Sequence, residues 1–199
     1  MAFLVDFHHP APAASARRFP RRLPAALAAF AFFCFTLHAG GQVSREYQLK
    51  AVFLYNFAQF TEWPPDAFQD PQAPIIIGIF GKDPFGESLD EAVRGEKVGG
   101  RPLVIRRFTR LEDVQTCHIL FLTDSQSKRL PAILAAVKGR GILTVSDMEN
   151  FVPQGGMVRF LTRNNRIQLR INMDAVKAAR LTISSKILRS AEIVSSDGT

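Results

Sequence analysis

Histidine is scarce in this chain and cysteine scarcer. Of four histidines, His8, His9 and His38 fall within the first 41 residues, and only His118 follows them. Of two cysteines, Cys34 lies in the same early stretch and Cys117 is the other. A zinc site needs three or four N, S or O ligands, which one histidine and one cysteine do not supply. A Ser-His-Asp or Cys-His catalytic set would have to use His118. That residue adjoins Cys117 on an apolar run that reads as a strand, where neighbours point to opposite faces. The two therefore do not read as a nucleophile and its base. With no second cysteine after residue 41, Cys117 reads either as a small buried hydrophobe or as a thiol bridging two chains. A basic tract is missing too. Past residue 41 the chain holds 21 basic and 17 acidic residues, scattered, and this lacks the stripe that marks a nucleic-acid binder. No metal, cofactor or nucleic acid is expected.

What the chain does have begins with a leader. Arg17, Arg18, Arg21 and Arg22 precede an apolar run over residues 27–37, and Ala39, Gly40 and Gly41 follow. Positive, apolar, then small is the order of a secretory signal peptide. The run is shorter than the ~20 residues of a spanning helix. Phe32 and Phe33 ahead of Cys34 are too bulky for a lipoprotein cleavage box. The expectation is a signal peptide over residues 1–41, with an uncleaved anchor as the alternative, and one domain over 42–199 of a length that supports a core.

Within that domain, residues 46–60 read as a helix stopped by Trp63-Pro64-Pro65. Residues 75–80, Ile-Ile-Ile-Gly-Ile-Phe, form the β-branched run of a strand buried on both faces. Further strands are expected at 103–108, 117–122 and 142–145. A hairpin is expected at 157–162 and 166–171 around Asn164-Asn165. Helices are expected at 85–94, capped by Asp83 with Pro84 first, at 125–138 with a restart at Pro131, and at 173–188. Capping-box spacings at 109–112 and 146–149 point to two more short helices. Strands alternating with helices give an α/β fold, a three-layer sandwich with a mainly parallel sheet and an antiparallel edge hairpin.

Asp83, Asp124 and Asp147 each follow a strand, where sites of α/β proteins gather. Each also stands where a helix cap belongs, and capping accounts for each singly. The glycine spacing of residues 81–86 suggests a phosphate loop. The Lys-Ser/Thr pair is absent and Glu87-Ser88 stands there, so a tight turn is the better reading. Enzymatic activity is not expected.

Several segments together resemble one family: KAVFLYNFAQFTEWP at 50–64, IIIGIFGKDPFG at 75–86, VGGRPLVIRR at 98–107, CHILFLTDS at 117–125, GILTVSDMENF at 141–151, QGGMVRF at 154–160 and INMDAVKAARLTISSKILRSA at 171–191. In this order they are similar to the YfiR family. The resemblance implies a periplasmic, non-enzymatic regulator that binds and represses a membrane-bound signalling protein, foremost a diguanylate cyclase of the inner membrane. It implies control of cyclic-di-GMP and biofilm, sequestration by an outer-membrane lipoprotein, and a capacity to form homodimers. The disulfides of the best-known relative have no counterpart here. The other reading is a periplasmic small-molecule sensor acting with a histidine kinase. Candidate contact residues are Asn56, a polar residue inside an apolar helix, Trp63, and Ser184 and Lys186, which belong to a segment matching a family signature. Their competing readings are structural: a satisfied buried amide, a core aromatic, and helix surface with a back-bonded serine.

Overall fold

Ile75–Phe80 (β2) is buried at every position, and its side chains alternate between two cores. Ile75, Ile77 and Ile79 enter one hydrophobic cluster, while Ile76 and Phe80 enter a second. Ile119–Leu122 (β5) divides likewise, with Ile119 and Phe121 in the first and Leu120 and Leu122 in the second. A strand apolar on both faces must be covered on both. In this computed structural model, which describes residues 45–195, helices supply both covers. The expected signal peptide over 1–41 lies outside the described residues.

Arg45–Phe60 (α1) and Glu87–Val93 (α2) cover the first face with Ala51, Leu54, Phe57, Ala58, Leu89 and Val93. Leu130–Val137 (α3) covers the second with Leu130, Ile133 and Val137. This is the expected three-layer α/β sandwich. The remaining elements in chain order are Thr61–Glu62 (β1), Lys97–Val98 (β3), Arg101–Phe108 (β4), Leu143–Ser146 (β6), Val158–Arg163 (β7), Arg166–Asn172 (β8), Met173–Ala178 (α4), Thr182–Ile183 (β9), Ser185–Leu188 (α5) and Ala191–Val194 (β10). The eight-stranded sheet runs β10-β8-β7-β6-β5-β2-β4-β3. Its pairs are parallel except β7–β8 and β3–β4. Asn164 and Asn165, both at positive φ, turn the β7–β8 hairpin, the geometry an Asn-Asn pair tolerates. The hairpin lies one strand in from the edge, because β10 adds parallel to β8 outside it.

Gly78 on β2 makes room for a neighbour: a Cβ there would stand 2.5 Å from the Phe108 ring. Cys117 and His118 lie just before β5 rather than on it. Cys117 is free and buried, and its Sγ donates to the Val114 carbonyl at 3.0 Å. Burial pushes its thiol pKa well above the ordinary range, so it packs as a small hydrophobe. The restart at Pro131 is present as a 3-10 turn over Asp124–Arg129 leading into α3.

Four local expectations are overturned. α2 starts at Glu87, not Phe85, because Phe85 is fully buried and Gly86 turns at φ 54 before the helix. The 109–112 spacing caps nothing; a 3-10 turn over Glu112–Thr116 follows without a side-chain cap. No helix follows 146–149. Ser146 Oγ donates to the Leu122 carbonyl at 2.7 Å and accepts from the Met148 N–H at 3.1 Å, and turns follow. The expected helix over 173–188 breaks after Ala178: Arg180 takes φ 58, Leu181 and Ile183 turn into the core, and β9 pairs antiparallel with β1. Burial of two apolar side chains outweighs the weak propensity of a short helix.

Phe160 of β7 joins the layers, lying within 5.9 Å of the Phe53 and Phe57 rings of α1 and 6.4 Å of Phe121 on β5. Phe160→Ala is expected to lower the unfolding free energy by roughly 3–5 kcal/mol, read as a reduced urea midpoint at unchanged slope.

Candidate functional site

An open α/β sheet binds ligands in the crevice where its strand order reverses, here between the carboxyl ends of β2 and β5. In this protein that crevice is filled by its own loops. Gly81, at φ 110, follows β2, and a Cβ on it would lie 2.1 Å from Thr123 Oγ1 and 2.5 Å from Ser125 Oγ. Ser125 Oγ accepts from the Lys82 N–H at 3.0 Å and bonds Thr123 Oγ1 at 2.7 Å. Thr123 Oγ1 donates to the Phe80 carbonyl at 3.3 Å. The Lys82 and Phe85 N–H groups are thus taken up within the protein, by Ser125 and Asp83, which accords with the turn reading of residues 81–86.

The three aspartates serve separate purposes, and none is a helix N-cap. Asp83 accepts from the Phe85 N–H at 2.7 Å, a local turn, and pairs with Arg107 at 2.7 Å. Arg107 also holds Asp90, and its hydrogen bonds lead in keeping that carboxyl below its usual range. Asp124 opens the 3-10 turn that follows Thr123, whose side chain makes no capping bond. Asp147 is engaged by Tyr47 and Lys50 of α1. Among the described residues no group of three His, Cys, Asp or Glu side chains is placed to hold a metal ion.

His118 is part of the packing. Its ring stacks on Phe68 at 4.6 Å and meets Trp63 edge-on at 6.1 Å. Nδ1 accepts from the Ile76 N–H at 3.0 Å, and Nε2 lies 3.2 Å from the Ala67 carbonyl. That pair of contacts requires a neutral ring with its proton on Nε2. Burial lowers its pKa from 6.5.

The candidate contact residues come together around one corner. β1 and β9 pair Thr61 with Ile183 and Glu62 with Thr182, and the Ser184 N–H donates to the Phe60 carbonyl at 2.9 Å. Ser184 caps α5, its Oγ accepting from the Lys186 N–H. Lys186 is exposed and its Nζ lies 5.0 Å over the Phe60 ring. Trp63, half-buried, follows β1 directly, and its indole N–H donates to the His118 carbonyl at 3.3 Å. Asn56 stands one turn before Phe60 on α1, half-buried. Ser184 and Trp63 thus have structural roles, while Lys186 offers a charge to solvent.

Two features escaped the sequence reading. Lys50, on the apolar helix α1, is 2% exposed and lies 2.6 Å from both Glu46 and Asp147. Tyr47 donates to the same Asp147 oxygen at 2.8 Å. The hydrogen bond from Lys50 leads in lowering the Glu46 pKa. Burial first, then Asp147, keeps the Tyr47 hydroxyl protonated far above its usual range. The i,i+4 spacing of Glu46 and Lys50 was the available signal. The second feature is Leu49 and Val52, 42% and 49% exposed on the outer face of α1. A recess of about 420 Å³ is lined by Leu49 together with Arg45, Glu46, Thr162, Asn165 and Ile167.

The buried neutral His118 ties stability to pH. Its folded pKa lies below the unfolded 6.5, so the unfolded chain binds the extra proton. Stability from this group is complete above about pH 6.5 and declines as pH falls toward the lowered folded value. Melting temperatures measured from about pH 8 down to about pH 5 are expected to drop for the parent below 6.5. His118→Gln, which carries no titrating ring, should show a flatter profile over that window.

A family model described as YfiR/HmsC-like matches residues 47–192, from the first turn of α1 into β10. No curated protein matches the chain significantly. The family match spans well over half of the sequence, all of it within the sandwich, and coincides with the resemblance that the ordered segments carry. The chain belongs to the YfiR/HmsC-like family.

Proposed function

We propose that this protein is an exported, periplasmic regulator that binds and represses a membrane-bound signalling protein, a diguanylate cyclase in the first place, and has no catalytic step of its own. Family membership supports the class. Among the described residues no helix is long and apolar enough to cross a membrane, which is in keeping with action through surface contact.

The observation that carries the reading is the outer face of α1. Leu49 and Val52 sit one turn apart with nearly half their surface in water, on a helix whose inner face is fully engaged by the core. An apolar pair on a helix, flanked by a recess and charged neighbours, suits a groove or helix on a partner. A specific contact buries ~800 Å² on each side, so the surface must extend further. The corner formed by Asn56, Trp63, Ser184 and Lys186 is proposed as its continuation.

Repression needs only differential binding. A regulator that prefers the inactive receptor by ~5.5 kcal/mol reverses a 1:99 balance. Control of cyclic-di-GMP, release by an outer-membrane lipoprotein and homodimer formation are the family's implications and remain part of this proposal. Sensing a small ligand alongside a kinase is the second reading, supported by the recess taken up below.

The test is co-purification with the periplasmic part of an inner-membrane cyclase. Binding in the micromolar range or tighter is expected. Val52→Asp should weaken it by roughly tenfold or more while changing stability by less than about 0.5 kcal/mol, as an exposed substitution does. Absence of binding by the parent would sink the proposal, and undiminished binding by Val52→Asp would move the interface elsewhere.

A further inference from the structure

Beyond the end of β6 the domain leaves cationic groups unanswered. β6 pairs with β7 at two positions, Val145 with Val158 and Ser146 with Arg159, and β7 then runs on through Arg163 past the end of β6. A recess of about 490 Å³ opens there, lined in part by Lys50, Asp147, Glu149, Arg159, Arg163 and Arg170. The hairpin register sets Arg159 directly opposite Arg170 and Arg163 opposite Arg166. All four alternate with Phe160 and Leu169, whose side chains enter the core, so they share the other face of the hairpin. Like charges placed directly opposite across strands repel.

Some of that charge is answered within the protein. Glu192 of β10 holds Arg170 at 3.0 Å, and Lys50 is engaged by Glu46 and Asp147. Arg159 and Arg163 enter no ion pair among the described residues. The Nε–H groups of Arg159 and Arg170 are both buried and without an acceptor. Buried donors in folded proteins nearly always have a partner. A guanidinium is a fork matched to the paired oxygens of a carboxylate or phosphate.

We propose that this recess is a binding site for a carboxylate- or phosphate-bearing group, held by Arg159 and Arg170 with Arg163 beside them. Glu149, also lining it, disfavours a polyanion and fits a ligand whose anionic group adjoins a hydroxyl or ammonium. A flat bilayer surface does not enter a recess of about 490 Å³, whereas a small molecule or a projecting acidic side chain fits one and can meet the guanidinium groups that line it. The anion therefore has two sources, a free metabolite or a carboxylate of the protein partner. Only the second rests on the regulatory reading given above.

The experiment has two arms on the purified protein. Calorimetric titration with inorganic phosphate and with lactate, a carboxylate beside a hydroxyl, is run on the parent, on Arg159→Gln/Arg170→Gln, and on Arg94→Gln, the exposed residue that follows α2, as a charge control. In parallel, the same proteins are assayed for binding the partner's periplasmic part. Saturable anion binding that the double variant weakens by roughly tenfold, with the control unchanged, assigns a small-molecule site. The same loss confined to the partner assay assigns a partner carboxylate. Arg159→Lys/Arg170→Lys replaces the glutamine variant if that one fails to fold, since it keeps the charge and removes the fork. If the parent binds neither probe and the double variant holds the partner as tightly as the parent, the inference is wrong. It is equally wrong if the probes bind with an affinity the double variant leaves intact. A parent that binds probes but no partner would refute the regulatory reading and leave the anion site standing.

Discussion

Burial of the central strands on both faces is the constraint from which this architecture follows. β2, β5 and β6 are buried along their lengths, so neither face of the sheet centre can meet water. Each buried apolar side chain contributes on the order of 2 kcal/mol, and those contributions are lost unless helices lie on both sides. α1 and α2 cover one face and α3 the other. That arrangement leaves α1 with a buried side and a free one. The free side carries Leu49 and Val52, and the helix start carries the ion cluster around Lys50. Surface and charge are thus placed by the need to cover a two-sided sheet.

The parts of the fold legible in the sequence were those set by local pattern. The isoleucine run of β2 suits a doubly buried strand, and it is one. Asn164-Asn165 marked its hairpin, and Pro131 its restart. The C-terminal region was illegible because its structure is decided at long range. Residues 173–188 have helical spacing, yet Arg180 adopts a left-handed turn so that Leu181 and Ile183 reach the core and β9 meets β1. No window of residues around 180 contains that information, since the pairing partner lies at Thr61 and Glu62. Asp147 failed for the same reason: the spacing of Ser146 and Glu149 imitated a capping box around it, while its partners Tyr47 and Lys50 lie about a hundred residues earlier.

The candidate site was legible in pieces. Trp63 could be singled out by type and the Ser184–Lys186 segment by its likeness to a family signature, but only the short β1–β9 ladder shows that they adjoin one another. The arginine face of the hairpin was readable in principle. Once Asn164-Asn165 fixes the turn, odd positions of β7 and even positions of β8 must share a face, which groups Arg159, Arg163, Arg166 and Arg170. What the pattern could not supply is the early end of β6, which opens the space beside them. The crevice expected to hold a ligand, between β2 and β5, is instead closed by Thr123 and Ser125, polar residues that read equally well as lining a site.

The single buried thiol has a consequence for how the fold is held. Cys117 lies 4% exposed with its Sγ directed at a carbonyl, and no covalent cross-link joins the described residues. Among the described residues the sandwich is therefore held by non-covalent packing, and a reducing agent has no bond there to break. A related chain stapled by disulfides within this domain would couple its shape to the redox state of its surroundings, a coupling that the described residues do not provide.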